Sequence, residues 1–238
     1  MAVSRAFADD FEARLRSLGG RAARALPADA LPPSFLPAAV LLPFWREGDG
    51  VRLLLTERAA SLRAHSGQVA FPGGRVDASD ASLEAAALRE AREEVGLDPR
   101  AVRIVARLDD AWSGAGHHVA AFVGWLERPP RFVANPREVA RLLVADVEPL
   151  LAPEAAVGIE HEWEGERYVT WKLAGDWGEV VGMSADLLLE LVQRVRGEPC
   201  DRADVRLDEL RRYAASSPDP RAVGRGAASA GRRPRADG

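Results

Sequence analysis

The stretch from Phe71 to Gly96, FPGGRVDASDASLEAAALREAREEVG, constrains this chain more than any other. It begins with a Pro-Gly-Gly turn, and a helix is expected to follow and to end at the second glycine. Residues three and four apart on a helix are surface neighbours, so Glu90, Glu93 and Glu94 lie close together. Like charges at that spacing destabilise a helix, and oxygen ligands of this kind suit a hard cation such as Mg²⁺ or Mn²⁺.

The glutamates alone would favour a simpler interpretation, because an acidic run on a helix is usually a solvated face. The surrounding residues favour a site, since the glycine turn lies one helix length upstream and Arg89 directly precedes the first glutamate. From Arg89 to Leu97 the stretch resembles the Nudix box, G-x5-E-x7-R-E-U-x-E-E-x-G-U, in which U is apolar. Upstream, one residue is inserted. The first acidic position therefore falls on Asp80 when counted from Gly74, and on Ala81 when counted back from Arg89.

A second motif abuts the first. Leu54-Leu55-Thr56-Glu57-Arg58-Ala59 leads to Arg63, Gly67 and Phe71-Pro72-Gly73-Gly74. This run resembles the L-L-T-x-R-[SA]-x3-R-x3-G-x3-F-P-G-G signature of the coenzyme A pyrophosphatase branch of the Nudix family, which also carries the one-residue insertion. Two patterns in register are more specific than a glycine loop alone.

The resemblance implies a fold and a reaction. The fold is an α/β/α sandwich with a mixed sheet, and the reaction is metal-assisted hydrolysis of a pyrophosphate bond. Glu90, Glu93 and Glu94 would hold Mg²⁺ or Mn²⁺, and Arg89 would hold a glutamate in place. The branch signature implies coenzyme A or a derivative as the substrate, which would be cut to 4'-phosphopantetheine and adenosine 3',5'-bisphosphate.

Substrate contacts are expected from the second motif. Because the planar fork of arginine matches phosphate oxygens, Arg58 and Arg63 are predicted to bind substrate phosphates. Gly73 and Gly74 would let the backbone approach the metal and the substrate. Glu138, in Asn135-Pro136-Arg137-Glu138-Val139, resembles a carboxylate that this branch returns toward the site, and an exposed acid is an equal alternative.

Two other functions stay open at this point. A Nudix pyrophosphatase could act on another nucleoside diphosphate derivative, such as ADP-ribose, a dinucleotide or a nucleoside triphosphate. A Nudix-fold binding module could also lack catalysis, although such modules usually lose box carboxylates.

Composition limits the partners. The chain has 238 residues and a formal net charge of −4, which gives no general reason to expect nucleic-acid binding. The single Cys200 excludes an internal disulfide, and no apolar run approaches the ~20 residues that span a bilayer. We therefore expect a cytoplasmic protein with a small-molecule substrate, no nucleic-acid partner and no membrane partner.

Three regions are expected along the chain. Residues 1–34 form an amphipathic helix and a linker, residues 35–197 form the Nudix domain, and residues 198–238 form an extension that is predicted to be disordered from about residue 216. The N-terminal helix carries an apolar stripe: Phe7, Phe11, Leu15 and Leu18. This stripe must pack on the domain or on the partner subunit of a homodimer.

Apolar runs predict strands at 38–45, 51–56, 102–108 and 119–126, and a hairpin within 157–173. His117 and His118 are predicted to lie in a loop near the pocket without a metal role. Ser184 is predicted to cap a helix that runs through Arg196.

Overall fold

The computed structural model describes residues 2–60, 67–163 and 166–216. Arg63 and the tail from residue 217 onward therefore lie outside the described residues. Within the described ranges the helices are α1 Ala2–Leu18, α2 Leu83–Val95, α3 Val147–Leu150, α4 Gly182–Arg196 and α5 Arg202–Ser216. The strands are β1 Leu36–Glu47, β2 Gly50–Arg58, β3 Val69–Ala70, β4 Gly73–Arg75, β5 Val102–Arg107, β6 Ala111–Ser113, β7 His117–Leu126, β8 Val139–Asp146, β9 Ala156–Trp163, β10 Glu166–Gly175 and β11 Gly178–Val181.

The main sheet is mixed. β1 runs parallel to β7, from Leu36 beside His117 to Trp45 beside Leu126, and the other pairings are antiparallel. The strand order is β3-β2-β1-β7-β5, with β8 on β2, β4 on β1 and β6 on β7. A second antiparallel sheet, β11-β10-β9, contains the predicted hairpin. The expected α/β class with a mixed sheet is confirmed.

Both faces of the main sheet are covered. On one face, alanines of α2 pack against small and apolar residues of β1 and β7, which brings this helix close to the sheet. On the other face, α1, α4 and the second sheet pack over the alternate residues of the same strands. A strand that is buried on both faces has no polar side to show in sequence, which explains the continuous apolar run of β1.

The apolar stripe of α1 is covered by the chain's own core. Phe11 and Leu15 are fully buried, and the ring centroid of Phe11 lies 5.7 Å from that of Phe44 in β1. Burying a side chain of this kind contributes about 1.5–3 kcal/mol. The N-terminal helix therefore packs as part of the layer formed by α4 and the second sheet.

Leu15→Ala should lower the free energy of unfolding by about 3 kcal/mol, because it removes a fully buried side chain and leaves a cavity. Urea unfolding monitored by circular dichroism measures the change. Ser17→Ala, at an exposed position on the same helix, is the control and should change stability by less than about 0.5 kcal/mol. Equal effects of the two substitutions would contradict the packing of α1.

Two predictions at element ends are wrong. His117 and His118 begin β7, because the preceding turn closes at Gly116, whose φ of 81° suits glycine. Helix α4 begins directly after β11 at Gly182, where a φ of 62° lets the chain turn from strand into helix. Ser184 is therefore buried inside the first turn of α4, and Val181 is the N-cap residue.

A set of mostly buried charges joins the segment after α1 and helix α5 to the domain. We call it the ionic cluster: Arg21, Asp109, Asp186, Glu190, Arg194, Arg202 and Arg206. Arg206 of α5 binds both Asp186 and Glu190 of α4, and these three side chains are 3%, 12% and 0% exposed. Helix α5 is thus tied to the domain by buried ion pairs.

Within the described residues, no helix combines sufficient length with sufficient hydrophobicity to span a membrane.

Candidate active site

The Pro-Gly-Gly turn places two glycines of β4 beside the centre of the sheet. Gly73 and Gly74 lie opposite Val40 and Ala39 of β1. A Cβ on Gly73 would lie 2.4 Å from the Ala39 carbonyl oxygen, and one on Gly74 would lie 2.6 Å from the carboxyl carbon of Glu90. At Gly73 a side chain would collide with the backbone of β1, whereas at Gly74 it would displace the Glu90 carboxylate, which lies directly against the turn.

Helix α2 is fixed at both ends. Ser82 is its N-cap residue and accepts a hydrogen bond from the Ala85 N–H at 3.1 Å, while Gly96 closes it in the left-handed conformation with φ 69°. The helix rests on the sheet through Ala86, Ala87 and Ala91, which are fully buried. Because these alanines face the sheet, the orientation of the helix about its own axis is fixed. That orientation determines which glutamates face the glycine turn.

Glu94 is the most buried of the three box glutamates. Its side chain is 6% exposed, its Oε2 accepts a hydrogen bond from the Gly73 N–H at 3.1 Å, and its Oε1 lies 3.8 Å from Arg58 Nη1. Burial raises the pKa of the Glu94 carboxyl to about 7, and the charge of Glu90 adds to the effect, whereas the Gly73 hydrogen bond and Arg58 oppose it. The hydrogen bond from Gly73 and the charge of Arg58 therefore compensate the buried Glu94 carboxylate only in part.

Glu90 and Glu93 have different environments. Burial raises the pKa of the Glu90 carboxyl above its usual value, although the hydrogen bond from Arg89 favours the charged form. The Glu93 side chain is 54% exposed, and its carboxylate lies 3.0 Å from Arg89 Nη1. The structure therefore brings Glu90 and Glu94 together at the turn and leaves Glu93 on the outer side, paired with arginine.

Arg89 joins the helix to the loop before it. Its Nε and Nη2 donate to the two carboxylate oxygens of Asp80 at 2.8 and 2.9 Å, and its Nη1 donates to Glu90 at 2.9 Å. Its Nη2 also reaches the carbonyl oxygen of Arg75 at 3.0 Å. The first acidic position of the box fell on Asp80 or on Ala81, depending on the direction of counting. In the structure, Asp80 is the acid that Arg89 binds. The hydrogen bonds from Arg89 lower the pKa of the Asp80 carboxyl.

The residues around the turn fit a divalent cation in part. Within residues 2–60, 67–163 and 166–216, no three His, Cys, Asp or Glu side chains are placed to hold a metal ion together. Glu90 and Glu94 nevertheless share one side of the turn, and burial disfavours the charge of both. Mg²⁺ typically binds one or two carboxylates and completes its octahedron with water and substrate phosphates. The two carboxylates of Glu90 and Glu94 beside the turn match that requirement.

Arg58 ends β2 at a bulge, where it pairs with Val139 of β8. In the described part of the chain, its Nε is buried and has no hydrogen-bond partner, which leaves a donor for an anion near Glu94. The predicted second arginine, Arg63, lies outside the described residues. His118, in contrast, is paired with Asp110 at 2.7 Å.

The chain resembles known proteins over most of its length. The sequence pattern of the NUDIX domain matches residues 35–170. A protein of Enterobacter sp. (strain 638) that is named Nudix hydrolase NudL, and described as uncharacterized, is 36% identical over 191 residues, which are 80% of this chain and 96% of that protein. The protein of the same name from Cronobacter sakazakii is 40% identical over 166 residues, which are 68% of this chain and 84% of that protein.

Solved structures overlap more loosely. A Nudix hydrolase from Alicyclobacillus acidocaldarius gives a TM-score of 0.45 at 17% identity, covering 73% of this chain and 96% of that one. An Ap4A hydrolase from C. elegans gives 0.41 at 21% identity, covering 47% and 80%. Overlaps at these TM-scores carry no inference about function. Because the NUDIX domain pattern and the relatives in sequence each match more than half of the chain, the chain belongs to the Nudix hydrolase family.

Proposed function

We propose that this protein hydrolyses the pyrophosphate bond of coenzyme A or a derivative with the help of Mg²⁺ or Mn²⁺. The products would be 4'-phosphopantetheine and adenosine 3',5'-bisphosphate. The observation that carries the proposal is the environment of Glu94, which is buried against Gly73 and lies 3.8 Å from Arg58, the first arginine of the branch signature. Residues of the Nudix box and of the branch signature are thus in contact around the Glu94 carboxylate.

Each part of the site has a role in this reaction. Glu90 and Glu94 would hold the cation, with Glu93 at their flank, and Arg89 would keep Glu90 in place through its bonds to Asp80 and Arg75. A divalent ion, when bound, would neutralise phosphate charge and make a water molecule more acidic. Gly73 and Gly74 would let the backbone of the turn come close to the cation and the substrate.

The bond changes are those of a simple hydrolysis. The oxygen of water attacks one phosphorus, and a proton of the water passes to a carboxylate. The bond from this phosphorus to the bridging oxygen breaks, and the bridging oxygen leaves with the other phosphate. Arg58 and Arg63 would bind substrate phosphates through their planar forks. Both products are phosphate monoesters.

A turnover assay on a panel of diphosphates tests the proposal. The panel contains coenzyme A, an acyl-coenzyme A, ADP-ribose, a diadenosine polyphosphate and a nucleoside triphosphate, each with Mg²⁺, with Mn²⁺ and with EDTA. We expect the highest kcat/KM for a coenzyme A compound, with metal required. A preference for another member would move the protein to a different Nudix substrate class, and no turnover at all would indicate a binding module.

Arg63→Ala should lower kcat/KM for coenzyme A much more than for dephospho-coenzyme A, because we propose that an arginine of the signature contacts the 3'-phosphate. A charge-assisted contact of this kind contributes roughly 1.5–3 kcal/mol, or about one to two decades. Arg58→Ala is measured in parallel, and Arg100→Ala, whose side chain is 91% exposed, is the control. Equal losses on both substrates would place the arginine at the diphosphate or in a purely structural role.

The proposal extends to the cellular setting. It includes a cytoplasmic location, where reducing conditions suit a chain with one cysteine, and a small molecule as the partner. A homodimer stays a prediction, which light scattering would test.

A further inference from the structure

The segment from Arg128 to Arg137, which we call the basic loop, carries positive charges only. Its sequence, RPPRFVANPR, has three arginines and no acidic residue, although the whole chain has a formal net charge of −4. Arg128, Arg131 and Arg137 are all exposed. In the part of the chain that the structure describes, no carboxylate pairs with any of these three side chains. The basic loop therefore presents uncompensated positive charge to the solvent.

The lack of carboxylate partners distinguishes the basic loop from its surroundings. Most arginines among the described residues pair with a carboxylate, and Arg103 of β5 and Arg141 of β8 each lie 2.6 Å from a glutamate. The glutamate directly before the loop, Glu127, is the partner of Arg103. Local positive charge thus exceeds local negative charge in the basic loop.

Two hydrogen bonds hold this end of the loop beside the proposed active site. The Asn135 N–H donates to the Glu94 carbonyl oxygen at 2.8 Å, and the Ala59 N–H donates to the Glu138 carbonyl oxygen at 2.8 Å. Arg137 lies between these two attachment points. Its exposed guanidinium therefore belongs to a segment that is bonded to the box helix on one side and to the end of the branch signature on the other.

The rest of the basic loop also stays within electrostatic reach of the site. The Val133 N–H donates to the Val95 carbonyl oxygen at 2.9 Å, which fixes the middle of the loop to the end of α2. Because each residue extends a chain by at most about 3.6 Å, the Cα atom of Arg131 lies within about 14 Å of that of Asn135. The Debye length is about 10 Å at 0.1 M ionic strength and about 30 Å at 0.01 M. Charges on the loop can therefore act on an anion that approaches the site.

The proposed site itself is acidic. Glu90 and Glu94 face the glycine turn, and the negative charge of Glu138 raises the pKa of both, in addition to the larger effect of burial. A diphosphate substrate is also negatively charged, so these carboxylates and the net charge of the chain repel it as it approaches. A hydrolase with this site needs positive charge nearby that its own carboxylates do not neutralise.

We propose that the basic loop attracts the anionic diphosphate substrate to the site by long-range electrostatics and favours substrates with more negative charge. This inference rests on the proposed function of the same site. The role differs from that of Arg58 and Arg63, which would contact phosphates directly. Attraction of this kind can raise association rates about 10–10³-fold, and it acts on the encounter and not on the chemical step. Coenzyme A, with a diphosphate and a 3'-phosphate, would gain more from it than dephospho-coenzyme A.

The double variant Arg131→Ala/Arg137→Ala should lower kcat/KM for coenzyme A about 10-fold at an ionic strength of ~0.01 M, with kcat unchanged. The loss should be smaller for dephospho-coenzyme A. Because the Debye length falls to about 3 Å at 1 M, the variant and the wild type should converge as salt is added. Initial rates at fixed Mn²⁺ across this range measure the effect, and melting temperatures confirm that the variant is folded. An equal loss at every ionic strength would overturn the proposal.

Three further variants separate charge from contact geometry. Arg131→Lys/Arg137→Lys should keep most of the wild-type kcat/KM, because long-range attraction depends on charge and not on the planar fork of arginine. Arg131→Glu/Arg137→Glu doubles the change in charge and should lower kcat/KM about 100-fold at ~0.01 M ionic strength. Arg167→Ala is the matched control, since Arg167 is also exposed and has no ion pair among the described residues, and it should leave the salt dependence unchanged. A lysine variant as impaired as the alanine variant would assign these arginines to direct contacts instead.

A binding measurement without metal separates this inference from the proposed function. Isothermal titration calorimetry in EDTA compares the Kd for adenosine 3',5'-bisphosphate with that for AMP on the full-length protein. At low ionic strength, Arg131→Ala/Arg137→Ala should raise the first Kd more than the second. If the wild type hydrolyses coenzyme A while the double variant keeps its kcat/KM and its salt dependence, only the role of the basic loop is wrong. If the wild type hydrolyses no diphosphate, the proposed function fails, and an unchanged Kd for the bisphosphate in the double variant would reject the role of the loop as well.

Discussion

Glu94→Gln is expected to abolish turnover and at the same time to stabilise the metal-free protein. Glutamine keeps the shape of the side chain and an oxygen for the Gly73 N–H, but it removes the negative charge. Without that charge the proposed cation site loses a ligand, so kcat should fall by several orders of magnitude. Near-normal turnover at saturating Mg²⁺ would remove Glu94 from the site.

The gain in stability follows from the raised pKa of Glu94. The carboxyl has a pKa of about 7 in the folded protein and an ordinary value of 4.5, because burial disfavours its charged form. The folded state therefore binds more protons than the unfolded state between these values, and stability falls as the pH rises through this window. Above pH 7 the full penalty is about 3 kcal/mol, and below about pH 4.5 it vanishes.

Urea unfolding of the wild type and the variant in EDTA, at pH 5 and at pH 8, measures this effect. Glu94→Gln should be more stable than the wild type by up to about 3 kcal/mol at pH 8 and by much less at pH 5. Glu93→Gln is the control, because the Glu93 side chain is exposed and paired with Arg89, so the substitution should not stabilise the protein. A pH-independent difference for Glu94→Gln would mean that the buried charge is not its cause.

The sequence shows the helix and its acidic residues, but not how the helix is rotated. Spacing brings three glutamates together, whereas contact with the sheet separates Glu94, which is buried, from Glu93, which is exposed. The fully buried Ala87 and Ala91 lie four residues apart and mark the face that packs on the sheet. The spacing of these alanines could have been used to predict which glutamates are buried and which are exposed. The catalytic roles of the glutamates stay predictions.

Other features depend on pairing that no local pattern contains. The strands β3, β4, β6 and β11 are two to four residues long and exist because a neighbouring strand binds them. Long strands such as β1 were predictable because a strand that is buried on both faces has a continuous run of apolar residues in its sequence. The ionic cluster was not predictable, because Arg, Asp and Glu residues are ordinarily exposed and the cluster joins residues 186–206 to Arg21 and Asp109, which are far from them in the chain.

Arg206→Met should lower the free energy of unfolding by about 3–5 kcal/mol, because it removes one of the two arginines that pair with each of the buried carboxylates Asp186 and Glu190. Glu190, which is fully buried, would still face Arg194, and Asp186 would still face Arg202, but each carboxylate would lose its ion pair with Arg206. Methionine preserves much of the length of arginine, so the loss reports on charge more than on volume. Urea unfolding at pH 7 measures it.

Arg211→Met is the matched control for this prediction. Arg211 lies on the same helix, its side chain is 61% exposed, and its pairing with Asp208 spans 3.7 Å, so the change should stay below about 1 kcal/mol. The double variant Arg206→Met/Glu190→Gln should recover part of the loss, because glutamine removes the buried charge that has lost Arg206 while keeping an oxygen for the Asp109 N–H. Purely additive losses would show that Arg206 and Glu190 are not energetically coupled.

The dependence of this loss on pH identifies its origin. Burial already raises the pKa of the Glu190 carboxyl, although Arg206 and Arg194 favour its charged form. Removing Arg206 takes away the larger of these two opposing effects, so the pKa should rise further and the carboxyl should take up a proton more readily as the pH falls. The deficit of Arg206→Met should therefore be smaller at pH 5 than at pH 8. A deficit of the same size at both values would assign the loss to packing of the arginine stem, and α5 would then be held by contact rather than by charge.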